Sequence, residues 1–237
     1  MASRSQRAPR TTPGPSREHA GTTRARLLEA AAEIFAEAGY HQAQIRRICA
    51  RAGANIALVN YHFGDKLGLY TEVLRHSVRS GHVDAIRGAL NQSGSAEDIL
   101  RAIIKARMRG MSTGDLADRQ FRIFIHELAH PTAAMGRVID DVVRPIYNRV
   151  LELVGRMIGR APDDEKTRLC AYSVMGQMML YALAGPVVQR LWPGLKMSSG
   201  QLDRIADHIG DFSLAYLRQA RGNRRQRSKP RAKRLRK

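Results

Sequence analysis

Apolar residues recur along this chain at the three- and four-residue spacing of a helix that buries one face. The spacing is clearest in a short segment whose apolar positions are Ile45, Ile48, Cys49 and Ala52. Three arginines lie on or beside the opposite face of that segment, namely Arg46, Arg47 and Arg51. The segment is therefore predicted to form a short amphipathic helix.

A turn and a second short helix are predicted to follow. Gly53 stands where the first helix must stop, because glycine enters the left-handed conformation of a helix C-cap without steric cost. Asn55 can cap the next helix, over residues 56–62, and the sequence Phe63-Gly64-Asp65 ends it and caps a third helix from Lys66. Two short helices joined by a glycine turn form a helix-turn-helix, which places a recognition helix in a DNA major groove.

Helical patterns account for most of the remaining chain. The first covers residues 22–38 and ends at Gly39, and the helix from Lys66 continues to residue 91. Five more helices are predicted over residues 96–111, 116–130, 132–159, 163–191 and 199–220, separated by Gly, Pro, Asn and Ser. We find no run of alternating β-branched residues that would argue for a sheet. The prediction is an all-α fold of about nine helices that begins with a three-helix head.

The formal net charge of +19 is concentrated in the two ends of the 237-residue chain. Residues 1–20 carry +3, and residues 218–237 carry eleven Lys and Arg with no acid, which leaves only +5 for the body. These ends are too polar and too charged to bury a core, so residues 1–20 and 221–237 are predicted to be a disordered basic arm and tail.

Cysteine usage and hydropathy exclude several classes of protein. The two cysteines, Cys49 and Cys170, are far apart and fall on predicted helix faces, which argues against a disulfide framework or a zinc ribbon. The basic N-terminus has no apolar core region, so it is not a secretory signal, and the longest apolar run is too short to span a membrane. We expect a cytoplasmic protein that needs neither a cofactor nor a metal.

Two sets of residues resemble a known family. The run GYHQAQIRRICARAGANIALVNYHFGDKLGLY is similar to the N-terminal signature of TetR-family bacterial transcriptional regulators, in which Ala-Gly is followed by the recognition helix, then Tyr-x-Phe and a lysine. Farther along, DRQFRIFIHE, VIDDVVRPIYNRV, RLCAYSVMGQMMLYALAGPVV and DHIGDFSLAYL resemble the C-terminal domain of the CerR/CecR-type subgroup. The resemblance implies a DNA-binding domain over residues 21–70 and a regulatory and dimerisation domain over residues 71–220.

The resemblance also implies a function, which is a non-enzymatic regulator, most often a repressor, that binds a palindromic DNA operator as a homodimer. A small-molecule effector would release the DNA. Carried over by position, the residues that would contact DNA are Arg46, Asn55, Ile56, Ala57, Leu58, Asn60, Tyr61, His62 and Lys66. Arg46 would read a guanine edge, and Asn60, Tyr61, His62 and Lys66 would hold phosphates.

Ile56 is placed differently by two arguments. Its spacing from Val59 predicts a buried side chain, whereas the resemblance places it toward the groove, where it can meet a thymine methyl. We favour the groove. The family often has a threonine that caps the second helix where this chain has Ala43, and losing that cap costs about 1 kcal/mol of helix stability.

Residues 126–130 read His-Glu-Leu-Ala-His, which matches the HExxH pattern of zinc peptidases. The alternative function is therefore a zinc-dependent hydrolase that uses His126, Glu127 and His130, with Glu152 as a possible third ligand. Pro131 ends the helix directly after the second histidine, and the domain is small for a peptidase cleft, so we favour the regulator. A third reading is a ligand-independent DNA-binding protein that depends on its basic ends.

The effector pocket is expected between helices of the C-terminal domain, as in other helical bundles. The residues proposed to line it are Phe121, Phe124, Glu127, His130, Tyr147, Met178 and Tyr181. For any one of the aromatic residues or Met178, ordinary core packing is the better explanation, so the prediction concerns the set and not a single member. Dimerisation is expected through the last two long helices, residues 163–191 and 199–220, because they combine apolar bulk with small residues.

Overall fold

The computed structural model describes residues 17–111 and 115–227, and these residues form helices joined by short turns. The twelve α-helices of the described part are α1 (Arg17–Gln42), α2 (Ile45–Ala52), α3 (Ile56–Phe63), α4 (Lys66–Val78), α5 (Asp84–Leu90), α6 (Ala96–Arg109), α7 (Asp115–Ala129), α8 (Ala133–Val138), α9 (Arg144–Ile158), α10 (Glu165–Leu183), α11 (Gly185–Leu191) and α12 (Ser199–Arg227). The predicted all-α class is confirmed.

The number of α-helices is larger than the nine predicted, mainly because two π-helical turns divide segments that were each predicted as one helix. The turns Arg79–Val83 and Ile139–Val143 connect α4 to α5 and α8 to α9 without a break in helical conformation. The long helices predicted over residues 66–91 and 132–159 are therefore present as continuous rods. The helix predicted over residues 163–191 was wrong in one respect, because it is interrupted at Ala184. Pro186 explains the interruption, since proline has no backbone N–H to donate to the preceding turn.

The outer ends of α1 and α12 differ from the predicted boundaries. α1 begins at Arg17, inside the segment predicted as a disordered arm, and α12 continues past residue 220 to Arg227. Arginine, glutamine and alanine have high helix propensity, and cations are favoured at a helix C-terminus, so a basic composition does not end α12. Residues 1–16 and 228–237 of the predicted arm and tail lie outside the described residues.

The helices enclose two apolar cores. The boundary between these cores differs from the boundary predicted between the N-terminal head and the C-terminal domain. The first core contains the buried faces of α1–α4 together with Ile123 of α7 and Ala134 and Val138 of α8. The second core joins α5, α6, α9, α10 and α12. Residues of α7, α8 and the start of α9, where Ile146 lies, therefore pack directly on the N-terminal head.

Candidate nucleic-acid interface

The predicted helix-turn-helix is present with the predicted caps. Gly53 has φ 58° and ψ 41°, the left-handed conformation that lets α2 end and the chain turn. Asn55 accepts a hydrogen bond from the backbone N–H of Leu58 at 3.0 Å, and Asp65 accepts one from Gly68 at 2.7 Å. Local sequence therefore fixes where α3 and α4 begin.

One face of α3 is anchored and the other is open to solvent. Val59 is buried in the first core, and Leu58 packs partly against it. The exposed positions of the helix are Ile56, Ala57, Asn60 and Tyr61. Ile56 is 44 % exposed. The sequence left open whether this side chain is buried or points outward, and in the structure it points toward solvent. Because Val59 is the buried residue of α3, nearly the whole N-terminal end of this helix is accessible to solvent.

The three arginines of α2 differ in their partners. Arg47 forms an ion pair with Glu37 at 3.5 Å, and Arg51 pairs with Glu33, both glutamates of α1. Arg46 is exposed and forms no ion pair or hydrogen bond with any residue that the structure describes. Its guanidinium is therefore the one of the three whose donors are available to a base or a phosphate.

A shallow groove runs between the start of α2, the exposed face of α3 and the start of α4. Its lining includes four residues that were predicted from the sequence to contact DNA, namely Arg46, Ile56, Asn60 and Lys66. Gln44 also lines the groove and was not among the predicted residues. Gln44 is the N-cap of α2, but its side chain makes no capping hydrogen bond, as expected of a helix that lacks a hydroxyl cap. The Gln44 side chain is exposed and makes no hydrogen bond with the residues that the structure describes. Its position two residues before Arg46, at the start of α2, is the signal in the sequence that could have identified it.

The four residues proposed to hold phosphates are placed differently from one another. Tyr61 is 76 % exposed, and Asn60 is also exposed. His62 is half-buried, and its Nε2 is enclosed without a hydrogen-bond partner among the described residues, so this nitrogen cannot reach a phosphate in the present rotamer.

Lys66 is tied into the head. Its ammonium donates to the carbonyl of His41 at 3.3 Å and lies 4.7 Å from the centre of the Tyr40 ring. Burial lowers the pKa of Lys66. This lysine therefore joins the start of α4 to the end of α1, and any contact with DNA would be additional to that structural role.

Glu127 is part of a buried connection between the head and α7–α8. It is fully buried and accepts hydrogen bonds from the Tyr70 hydroxyl at 2.8 Å, the Thr132 amide at 2.8 Å and the Thr132 hydroxyl at 3.1 Å. The Tyr70 ring packs against Phe35 and Tyr40 inside the head. Burial and the hydrogen bond to Glu127 raise the pKa of Tyr70, so its hydroxyl stays protonated and donates.

This geometry does not support the hydrolase reading of the HExxH string. The oxygens of Glu127 are occupied by Tyr70 and Thr132, so the carboxylate is not available as a catalytic base. The ring of His126 packs at Gly39, where an added Cβ would come within 3.1 Å of Nδ1. Among the described residues no group of three or more His, Cys, Asp or Glu side chains is placed to hold a metal ion.

The residues proposed to line an effector pocket are divided between the two cores. Phe124 packs against the first core, beside Glu127. Tyr147, Met178 and Tyr181 belong to the second core or pack against it, and His130 is exposed after the end of α7. The side chain of Phe121 lies outside the described part of the structure. The structure therefore brings Tyr147, Met178 and Tyr181 into one core but not the whole set.

Large apolar side chains are exposed along the last three helices, and together they are called the apolar surface below. They are Leu169, Tyr172, Leu180 and Leu183 of α10, Val187 and Leu191 of α11, Trp192, and Phe212 and Tyr216 of α12. A hydrogen bond from Gln177 to Ser213 at 3.2 Å joins α10 to α12. None of the helices that the structure describes is long and apolar enough to cross a membrane.

Comparison with known proteins agrees with this arrangement. Residues 27–73 match the family model of bacterial regulatory proteins of the tetR family, and residues 96–217 match the model of the C-terminal domain of the HTH-type transcriptional dual regulator CecR. The second match alone spans more than half of the chain.

Individual relatives are also transcriptional regulators. The dual regulator CecR of Shigella flexneri is 26% identical over 167 residues, which cover 66% of this chain and 74% of CecR. The regulator BetI of Escherichia coli O17:K52:H18 is 36% identical over 164 residues, or 68% of this chain and 83% of BetI. The transcriptional activator FasR of Mycolicibacterium smegmatis is 39% identical over 83 residues, or 35% of this chain and 37% of FasR.

Solved structures show the same fold. A transcriptional regulator from Pseudomonas aeruginosa PAO1 superimposes with a TM-score of 0.62 at 24% identity, covering 83% of this chain and 92% of that one. FadR from Bacillus subtilis, solved in complex with stearoyl-CoA, gives 0.61 at 14% identity, covering 81% and 97%. With the head, its caps and both family models in agreement, this chain belongs to the TetR family of transcriptional regulators, with a C-terminal domain of the CecR type.

Proposed function

We propose that this protein is a sequence-specific repressor that binds a palindromic DNA operator as a homodimer and leaves it when a small-molecule effector binds. The observation that carries the proposal is the open groove of the head, where the exposed end of α3 lies beside the unpaired guanidinium of Arg46. A helix end of this kind fits the major groove, in which base edges are distinguishable.

Base reading in this proposal comes from few polar groups. Arg46 supplies a planar fork that matches the O6 and N7 acceptors of guanine, and Gln44 supplies an amide on the same side of the groove. Ile56 and Ala57 offer apolar contact to thymine methyl groups. Asn60 and Tyr61 reach phosphates from the exposed side of α3.

Dimerisation would bury the apolar surface of α10–α12. Exposed apolar patches of this extent mark interaction sites, and a two-fold axis lets the same surface serve both partners. Two heads related by that axis would face two half-sites in opposite directions, which is why the operator should be a palindrome. A regulator of this kind acts at the bacterial chromosome, so we expect the protein in the cytoplasm.

Release by an effector requires a ligand that binds better to one arrangement of the heads than to another. Tyr70, Glu127 and Thr132 form a polar route for such coupling, because they connect α4 of the head to α7 and α8 through a single buried carboxylate. A shift of α7 would change this contact and the position of α4. The effector itself would bind within the C-terminal helices.

Gel-shift titration with DNA from the region upstream of the protein's own gene tests this function. We expect one fragment to bind at least about 10³-fold more tightly than unrelated DNA of the same length, and scrambling one half-site to remove most of that preference. Equal binding to every sequence would contradict the proposal. Removing residues 228–237 is the control for non-specific attraction by the basic tail, and it should lower affinity for all sequences alike.

A further inference from the structure

Arg107 is a buried cation on the core face of α6. It is only 9 % exposed, and the other buried residues of the same helix are Leu100, Ile103, Ile104 and Met108. All four belong to the second core, which is formed by helices of the C-terminal part. A guanidinium therefore stands in a row of aliphatic and methionine side chains.

No residue in the described part of the structure neutralises Arg107. Its Nη1 is buried and has no hydrogen-bond partner, and the side chain forms no ion pair there. Other arginines of α6 are paired at the surface, Arg101 with Asp211 at 2.6 Å and Arg109 with Asp203 at 2.7 and 2.9 Å. The helix thus pairs its exposed arginines with α12 and leaves the buried one unpaired.

An unpaired buried charge is unfavourable, so its presence calls for an explanation. Burial lowers the pKa of Arg107 to about 10, which means that the group still carries its charge at neutral pH. Removing an ion from water is costly, and native proteins satisfy nearly all buried polar groups. An apolar side chain of similar size would fit this core better, so stability does not account for an arginine at this position.

The following step rests on the effector-controlled function proposed above. We infer that Arg107 binds the anionic group of the effector, which is a carboxylate or a phosphate, and that the apolar part of the effector packs in the second core. The guanidinium fork forms paired hydrogen bonds with either oxyanion.

Thermal unfolding without ligand tests whether Arg107 is kept for binding or for stability. Because Arg107→Met removes an uncompensated charge and keeps the apolar stem, we expect the unfolding midpoint to rise by about 2 to 4 °C. A drop in the midpoint would show that Arg107 is paired within the folded protein and would overturn the inference. Arg109→Met is the matched control, which removes an exposed arginine of the same helix and should not raise the midpoint.

Three ten-carbon probes test the chemistry of the ligand: decanoate, decyl phosphate and decanol. We expect decanoate or decyl phosphate to raise the midpoint of the wild-type protein and decanol to leave it unchanged, and the more effective anion identifies the group. The rise should be lost in Arg107→Met, reduced in Arg107→Lys and retained in Arg109→Met. Absence of any rise with both anions, or an equal rise in Arg107→Met, would overturn the inference.

Operator binding separates this inference from the proposed function. Arg107→Met should bind operator DNA as tightly as the wild-type protein but should no longer respond to the anionic probe that releases the wild type. If the wild-type protein binds no sequence specifically, the proposed function fails. If it binds specifically and the probes act alike on both proteins, only the role of Arg107 fails.

Discussion

Arg46, Arg47 and Arg51 show how neighbouring residues of the same type acquire different roles. All three lie on the solvent side of α2, and their spacing alone does not distinguish them. Glu33 and Glu37 of α1 pair with Arg51 and Arg47 and leave Arg46 without a partner in the part of the chain that the structure describes. The acidic residues of a neighbouring helix therefore determine which arginines of α2 are paired.

Replacing Arg46 by alanine should relax base preference in a local way. Because a bidentate arginine contact discriminates one base pair, Arg46→Ala should lose about 1 to 3 kcal/mol of preference at a single position of each half-site. The measurement is competition binding with operators substituted one base pair at a time. Arg47→Ala is the control, and it should leave the order of preference unchanged. An equal loss at every position in Arg46→Ala would show that Arg46 contacts phosphate only.

At the scale of elements, two helices of the head meet the C-terminal helices: α1 packs against α7, and α4 packs against α7 and α8. α4 also packs against α1, so it contacts both parts of the chain. Tyr70 serves both contacts, because its ring lies among the aromatic residues of the head and its hydroxyl donates to Glu127. A hydrogen bond to a buried carboxylate therefore links α4 directly to α7.

Tyr70→Phe tests this connection, since it keeps the ring and removes only the donor. A hydrogen bond to a buried carboxylate contributes about 1.5 to 3 kcal/mol, and the free energy of unfolding should fall by that order. Urea unfolding measures the change. Tyr40→Phe is the matched control, because the Tyr40 hydroxyl makes no hydrogen bond with the described residues. A similar small effect in both variants would mean that the Tyr70–Glu127 contact adds little stability.

At the scale of the whole molecule, the groove of the head and the exposed apolar residues of the last three helices lie on different elements. The groove of the head lies on α2–α4, whereas Leu180, Leu183, Phe212 and Tyr216 lie on α10 and α12. The two surfaces share no residue. The proposed dimer can therefore form through one surface and bind DNA through the other.

Charge introduced into the apolar surface should separate the chains. Leu180→Asp and Phe212→Asp would each bury a carboxylate without a partner in the dimer, so we expect monomers at micromolar concentrations. Analytical ultracentrifugation measures the mass, and affinity for the full operator should fall toward that for a single half-site. Leu128→Asp, at an exposed leucine of α7, is the control and should remain dimeric. Monomeric wild-type protein would contradict the proposed assembly.

The sequence by itself determined the features that depend on neighbours along the chain. Gly53 ends α2, Asn55 begins α3 and Asp65 begins α4. Each of these caps depends only on its own backbone conformation or on a hydrogen bond to a residue three positions away. The apolar spacing predicted the helical class and the positions of the long helices for the same reason. The family resemblance extended this to the regulator class and to the CecR-type domain, which the comparisons confirm.

Tertiary structure alone decided the features that depend on residues far apart in sequence. Glu127 belongs to a zinc-peptidase pattern in sequence, but Tyr70, which lies 57 residues earlier, makes it a buried structural acceptor. Arg46 and Arg107 are both arginines on amphipathic helices. Only the packing leaves Arg46 exposed and Arg107 buried, with an Nη1 that has no hydrogen-bond partner among the residues described. The position of a residue along a helix determines the direction of its side chain. The partner of that side chain and its exposure to solvent depend on which other helix packs against it.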